Sequence, residues 1–516
     1  MKDNYDVIVI GAGNAGLMSA LQIASKGKSV LVLEANSVPG GLATSFVKGR
    51  FEFENTLRAI HNLGSETNNK GRLRKLFNEF NLNDEIEWLE IPSSYKIIKT
   101  DNPREEYDLV FGLDEFIKKM QDYEPESKDK LSEFFDLAKE IRDGFLYMIS
   151  NDNIDYDFIK EKYPNFINTA AYSVEEVFKK LKLPKKIEDI IKSYWIYFGV
   201  STLNMNFAHY MYIFYELISN KAYIPKNRSM EISLAIEKKI RDYGGKVWFN
   251  DRVNKILVEN NSVVGVTTES GKTYKTNHII CNTSLLNIYE DLIDKDKLDK
   301  KVLRLLNGRR LGAKALTVYL GLNKSPEELG INNYSYFIYN SLDSNTEIEK
   351  MKNLDSNTIV VTCLNKANPE ASEKDTTILN ITAFYYADCF GSILNEENYY
   401  KVKEKIASKL IERFETVCGI NIKDFIEEIE ISTPYTYSLY DSSYDGTVYG
   451  WSLINSDSIL SRITNKDEDA IVNGLRLCGA YSYYGHGYDS TYINGYEIAN
   501  KTLNDIDKGD VKNENN

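Results

Sequence analysis

An α/β fold with an inserted mixed α+β domain is what this sequence predicts, on three observations. Close to the N-terminus a β-branched apolar run meets a cluster of glycines and then a helical pattern. A second block of short strands lies far downstream, beyond a long helical stretch crowded with aromatic rings. The chain has 516 residues, enough to bury a large core and more than one domain is expected to hold.

The N-terminal unit runs from Tyr5 to Gly41. Asp6 to Ile10 reads as a buried parallel strand. Gly11, Gly13 and Gly16 follow in GxGxxG spacing, with Asn14 and Ala15 at the turn into a helix ending at Ser25. Gly11 permits the tight turn, Gly13 lets backbone approach a pyrophosphate, and Gly16 lets the helix pack close to the strand. The helix N-terminus offers unpaired N–H groups to phosphate. Ser29 to Leu33 is the second strand, and Glu34 stands at its end. That is near the ~20 residues expected between the last glycine and a ribose-binding acid. A Rossmann-like dinucleotide site follows, and Glu34 argues against a 2′-phosphate, so the ligand is FAD or NAD rather than NADP.

Charge and composition narrow the partners. The net charge is −13, with 63 basic and 76 acidic residues and no basic patch, which argues against nucleic acid. The 5 cysteines show no CxxC or metal-ligand spacing, and the 4 histidines form no HExxH, so no metal site is expected. Buried thiols in a reducing cytosol are the simple reading. The first strand begins almost at once, leaving no room for a signal peptide, and no apolar run reaches the ~18 residues of a membrane span. A soluble, cytoplasmic protein is expected, with peripheral membrane contact left open.

Farther along, Phe46 to Phe53 reads as a strand pair about Gly49, Leu73 to Phe80 as a helix and Glu87 to Ile98 as extended. Leu113 to Asp122 and Lys130 to Ile149 have helical spacing. Residues 145 to 223 are ring-rich, including Tyr194-Trp195-Ile196-Tyr197-Phe198; they read equally as helical core or as an apolar cavity wall. Ile232 to Tyr243 is a helix ended by Gly244-Gly245. A meander is expected next, with strands at Lys246 to Phe249, Val253 to Glu259, Val263 to Thr268, Thr273 to Lys275 and His278 to Cys281. Strands return at Lys314 to Gly321, Tyr334 to Tyr339, Ile359 to Cys363 and Ile378 to Ala387, followed by a helix at Glu397 to Thr416. Near the end, Arg476 to Cys478 is a strand, Gly485-His486-Gly487 a loop, and Thr491 to Leu503 a helix capped by Asp489 or Ser490. The polar residues from Asn504 onward are expected to fray.

Four stretches resemble the phytoene desaturase and carotenoid isomerase-like family, a branch of the amine-oxidase-like FAD oxidoreductases. They are EANSVPGG after the fingerprint, Gly244-Gly245 with the strands closing on IICNTS, Thr433-Pro434 with Gly446-Thr447-Val448-Tyr449-Gly450, and Leu475 to Leu503. The resemblance implies FAD, held by Gly11, Gly13, Asn14, Ala15, Gly16, Glu34, Ala35, Gly40, Gly41, Val253, Gly479, Ala480, Gly487, Tyr488 and Asp489. It implies a discontinuous FAD domain, residues 1–95, 225–285 and 433–507. The substrate domain is 96–224 and 286–432, and 508–516 is a disordered tail. It also implies hydride transfer to or from a carbon–carbon bond of a hydrophobic unsaturated substrate. A fatty acid isomerase or reductase, an amine oxidase, and a non-catalytic lipid-binding flavoprotein are the alternatives.

Two departures from the family pattern stand out. Its substrate-side Pro-Gly-Gly is replaced by Pro225-Lys226-Asn227-Arg228, so Arg228 is expected to face the substrate cavity and read an acidic head group. Its final proline–glycine loop is replaced by Gly485-His486-Gly487, so His486 is expected over the flavin as a neutral hydrogen-bond donor or proton relay.

Overall fold

The computed structural model describes residues 4–64, 71–151, 153–298, 300–354, 356–386, 389–391, 395, 397–463 and 470–514. Ala387 and the last two residues of the expected tail lie outside them.

Two sheets organise the molecule. The first has six strands, in the order Ala470–Val472, Leu475–Leu477, Ile279–Cys281, Val7–Ile10, Val30–Leu33 and Lys246–Trp248. All its pairs are parallel except the outermost, Ala470–Val472 with Leu475–Leu477. Val7–Ile10 and Val30–Leu33 are buried at every position, which is why they read as unbroken apolar runs. Ile10 pairs in register with Leu33 on one side and Cys281 on the other. The strand after Ile10 in sequence lies to one side and a much later strand to the other. Such a switch point opens a crevice at the carboxyl ends of the strands.

The helix Asn14–Ser25 is almost wholly buried because the final helix, Tyr488–Glu514, crosses it. Ser19 Oγ donates to the Gly495 carbonyl at 2.8 Å, and a side chain at Gly495 would collide with the Ala15 carbonyl. The final helix begins three residues before the expected start, so Asp489 sits in its first turn instead of capping it. It also runs on through Glu514 rather than fraying after Leu503. Arg476 Nη2 meets Asp505 Oδ2 at 2.6 Å and Ile506 is buried, and both hold the helix to the sheet.

The meander is shorter than expected. Only Val253–Glu259, Ser262–Thr268 and Thr273–Lys275 form an antiparallel sheet, while Lys246–Trp248 and Ile279–Cys281 belong to the parallel sheet. Strand spacing alone does not separate a hairpin from an edge that crosses to another sheet.

The second sheet has seven strands, in the order Ile426–Ser432, Lys314–Leu322, Thr377–Tyr385, Ile359–Cys363, Ser335–Tyr339, Tyr95–Lys99 and Glu105–Leu109. Lys314–Leu322 and Thr377–Tyr385 are buried throughout. The helix Tyr399–Cys418 covers one face with Ile406, Leu410 and Phe414. Toward the other lies a helical layer that includes Lys128–Ser150 and Phe207–Ser219. Phe207–Ser219 is buried nearly all round, so its sequence is apolar on every face. The ring-rich stretch divides three ways. Phe145, Phe166, Phe178 and Phe214 fill the core, Tyr194, Tyr197 and Phe198 line a cavity, and Tyr156, Phe158 and Tyr172 are exposed.

Candidate active site

A cavity of about 970 Å³ opens at the carboxyl ends of the parallel strands and continues beneath the second sheet to the helical layer. That is the upper end of the usual ~300–1,000 Å³ for ligand pockets. It joins three regions that the sequence keeps far apart.

The first region is a backbone cradle. Gly11 has a φ of +92°, and Asn282, just past the strand Ile279–Cys281, sits beneath it. A Cβ at Gly13 would lie 2.5 Å from Asn282 Nδ2, and one at Gly479 would lie 2.5 Å from Asn282 Oδ1. A side chain at either would have to push the Asn282 amide aside, and at Gly479 the φ of +86° strains it as well. Gly16 does not line the cavity; a Cβ there would strike the Gly11 carbonyl, so its smallness serves packing. No side chain caps the helix that starts at Asn14, and Asn14 Oδ1 is buried without a partner. Gly40 donates its N–H to the Ala12 carbonyl at 2.7 Å, which brings the Gly40-Gly41 loop alongside the first turn. Unpaired first-turn N–H groups, side-chain-free backbone and an orphaned amide oxygen fit the pyrophosphate and hydroxyls of a dinucleotide.

The second region surrounds Glu34. Its carboxylate accepts from Ala12 N at 2.6 Å and from Asn36 N at 2.8 Å. Burial raises its pKa, and these backbone N–H groups oppose the rise. Ala35, Val253, Arg252 and Asp441 complete this end. Arg252 Nη1 donates to Ser442 Oγ at 2.8 Å. Asp441 ends the helix Pro434–Asp441, and burial, with Glu34 adding repulsion, pushes its pKa up to about 7.

The third region is apolar and holds three of the chain's 4 histidines. Tyr194, Tyr197, Phe198, Ile213 and Leu453 form its walls. His486 stacks on Tyr449, with ring centres 4.4 Å apart and planes at 20°. Its Nε2 is buried and unpartnered, and burial, reinforced by Arg462, lowers its pKa to about 4. His209 lies against Phe145 and Phe198, its pKa pushed down to about 3, first by burial and then by His486 and Arg462. His61 Nε2 is 3.1 Å from Tyr194 Oη, and its Nδ1 is buried without a partner. Burial lowers the His61 pKa, and Asp489 opposes that. Tyr488 Oη meets Thr56 Oγ1 at 2.9 Å, so the start of the final helix is tied to the loop that carries His61.

The cavity wall includes the expected Gly11, Gly13, Asn14, Ala15, Glu34, Ala35, Gly40, Gly41, Val253, Gly479, Ala480, His486, Gly487, Tyr488 and Asp489. Arg228 is a correction. Its guanidinium donates to the Glu52 carbonyl at 3.0 and 3.1 Å, to the Lys226 carbonyl at 3.4 Å and to the Ala371 carbonyl. It borders a separate gap of about 10 Å³, away from the large cavity. With a φ of +70° and a buried side chain, Arg228 clamps three backbone carbonyls, one in the strand Phe51–Glu54 and two in loops. The glycines it replaces had suggested substrate access; the local backbone uses the position for bracing. Conversely, Asp441, Arg58, His61 and His209 line the cavity without any motif to announce them, and Asn282 stands inside the IICNTS stretch with no role read from it. Arg58 and His61 share one loop, His209 lies in the helix Phe207–Ser219 and Asp441 ends a late helix, so no spacing joins them all. Among the described residues no group of three His, Cys, Asp or Glu side chains converges as a metal site, and no helix is long and apolar enough to cross a membrane.

Comparison with known proteins adds the family. The family model for flavin containing amine oxidoreductase matches residues 14–329. All-trans-retinol 13,14-reductase of Danio rerio is 25% identical over 87% of this chain and 78% of its own. The mammalian proteins of that name are matched over 59% of their length. The 1-hydroxycarotenoid 3,4-desaturase of a Flavobacterium is 24% identical over 89% of this chain and 91% of its own. Among solved structures, a putrescine oxidase variant superposes with a TM-score of 0.66 at 13% identity, covering 98% of this chain and 100% of that one, a likeness of fold. The chain therefore belongs to the flavin-containing amine oxidoreductases, on their phytoene desaturase-like side, and is a flavin-dependent oxidoreductase.

Proposed function

We propose that the chain binds FAD and moves hydride to or from a carbon–carbon bond of a hydrophobic unsaturated substrate, as a desaturase, a saturase or an isomerase. The observation that carries this reading is the continuity of one cavity from a phosphate-fitting cradle to an aromatic, histidine-bearing end. The relatives named for retinol and for a hydroxycarotenoid support a polyene-like substrate.

In this reading Gly11, Gly13, Asn14, Ala15, Gly40 and Gly41 hold the pyrophosphate, and Glu34, Ala35 and Val253 hold the adenosine. Gly479, Ala480, Gly487, Tyr488 and Asp489 meet the flavin end. When bound, the flavin supplies two-electron hydride chemistry. The chain's own residues orient the partners and manage protons. The rings of Tyr194, Tyr197 and Phe198 exclude water from the apolar end. Tyr194 and His61 share a hydrogen across 3.1 Å and so hold a proton beside the cavity. His486 stays neutral at ordinary pH, and its unpartnered Nε2 is available to a ligand. The strands support a domain division at 1–95, 225–285 and 433–507 against 96–224 and 286–432. The parallel sheet draws only on the first set, and the seven-stranded sheet, apart from Tyr95 itself, on the second.

The test is anaerobic. Protein loaded with FAD is photoreduced and mixed with retinoids, carotenoids, unsaturated fatty acids and amines, and recovery of flavin absorbance is followed. Reoxidation by a polyene, with the saturated or shifted product identified by mass, supports the reading. Bleaching of oxidised protein by amines alone overturns it. Acid precipitation of the same protein should leave all yellow colour in the supernatant, since Cys478, the thiol on the cavity wall, has its pKa raised by burial and is a poor nucleophile for covalent attachment.

A further inference from the structure

Arg58 is a buried cation in the cavity wall, 9% exposed. Among the described residues no carboxylate lies within ion-pair distance of it. Glu54, at the end of the strand Phe51–Glu54, feels the charge of Arg58, but its carboxylate is taken up by Ser229 N at 2.7 Å, Ser229 Oγ at 2.8 Å and Leu57 N at 3.1 Å. The guanidinium donates only to neutral acceptors. Its bonds reach the Leu57 carbonyl at 3.0 Å, Thr382 Oγ1 at 3.2 Å, and the Asn55 carbonyl at 3.4 Å from each terminal nitrogen. Bonds to neutral oxygens do not replace the hydration of a full charge, and a buried charge with no carboxylate in ion-pair contact is costly unless a ligand completes it. Arg228 differs: it too donates to carbonyls, but it faces a gap too small for a ligand.

The surroundings indicate which ligand. Thr56, two residues before Arg58, donates to the Leu42 carbonyl at 2.9 Å and meets Tyr488 Oη at 2.9 Å. The Arg58 loop is thus fastened on one side to the Gly40-Gly41 turn and on the other to the first turn of the final helix. The other arginine of the cavity wall, Arg252, stands at the Glu34 end beside Ser442. A dinucleotide with its phosphates in the cradle and its adenosine at Glu34 has its far end on the Arg58 side. There the guanidinium is the cation on the cavity wall, near the start of the final helix, whose first turn carries the Asp489 carboxylate.

We propose that Arg58 is the electrostatic partner of the bound flavin ring, stabilising the negative charge that the ring carries on reduction. The proposal rests on the flavin reading and is independent of which substrate is turned over. Charge placed beside the ring is one of the few ways a protein tunes its electron affinity.

The experiment uses holoprotein without substrate. Arg58→Met and Arg58→Gln remove the charge, and Arg58→Lys keeps it. Two readouts are taken: the dissociation constant for sulfite, whose addition leaves negative charge on an oxidised flavin, and the midpoint potential by dye equilibration. Arg58→Met or Arg58→Gln, still loaded with FAD, should bind sulfite at least tenfold more weakly. A tenfold change in the reduction equilibrium would appear as roughly a 30 mV fall for a two-electron couple. Arg58→Lys should recover most of both. Parental sulfite affinity and potential in a loaded neutral variant would overturn the proposal. Loss of FAD from both neutral variants would also overturn it, assigning Arg58 to loop bracing. Neither readout involves a polyene, so failure of the substrate reading leaves this result standing, and the reverse.

Discussion

Glu34 is bonded to two backbone N–H groups at the turn it shares with Ala12 and Asn36, so it shapes the loop as well as offering itself to a ligand. Glu34→Ala should weaken FAD binding by about 1.5–3 kcal/mol, the worth of charge-assisted hydrogen bonds, measured by flavin fluorescence titration. Its neighbour gives a pH signature. Asp441 has a folded pKa of about 7 against an ordinary 3.8, so the folded state is penalised for its charge as pH rises between those values. Asp441→Asn removes the penalty in the flavin-free protein. Its gain in stability should be absent near pH 4, grow toward pH 7 and then level, at on the order of 2–4 kcal/mol. A gain independent of pH would refute the assignment. At the apolar end, His486→Ala should keep FAD and slow the flavin half-reaction by roughly 10²–10⁴ if the imidazole takes part in proton movement. Unchanged single-turnover rates with FAD loaded would remove it from the chemistry. Glu34 and His486 stand out in the sequence as candidates because each sits inside a local pattern of glycines. Arg58, His61 and Asp441 have no such neighbours, and only folding brings the loop of Arg58 and His61 to the same cavity as Asp441.

Local physics made most elements readable. Val253–Glu259, Thr273–Lys275 and Ile359–Cys363 have the bounds their composition predicts, because β-branched runs end at turn residues such as Asn260-Asn261 and Ser270-Gly271. What was not readable is which sheet a strand joins, as Lys246–Trp248 and Ile279–Cys281 demonstrate. The crossing of Asn14–Ser25 by the final helix is equally non-local. It depends on Gly495, where a Cβ would run into the Ala15 carbonyl. Gly495→Val should therefore force the helices apart, at a cost of about 1–3 kcal/mol as for other overpacked contacts. Thermal unfolding measures this, and FAD content should fall with it because Asn14 and Tyr488 lie at the ends of the two helices that move. A variant with parental melting and parental flavin content would show that the crossing has slack.

For the whole molecule, that same crossing has a consequence in time. Ser19 and Gly495 touch but stand 476 residues apart in the chain. At translation rates of about 5–20 residues per second, roughly 25–95 s separate the making of the first glycine turn from the making of the helix that seals it. During that interval the residues that fit phosphate are already present, but the backbone at Gly479 and the start of the final helix are not. The emerging polypeptide must therefore be carried with an incomplete nucleotide site and an apolar helix face still exposed. Ribosome-arrested chains stalled with residue 470 just outside the exit tunnel should take up no flavin and should bind a holdase chaperone. Chains stalled with the final helix fully emerged should capture FAD and shed the chaperone. Flavin capture by the shorter chain would mean that the early segments build the site alone.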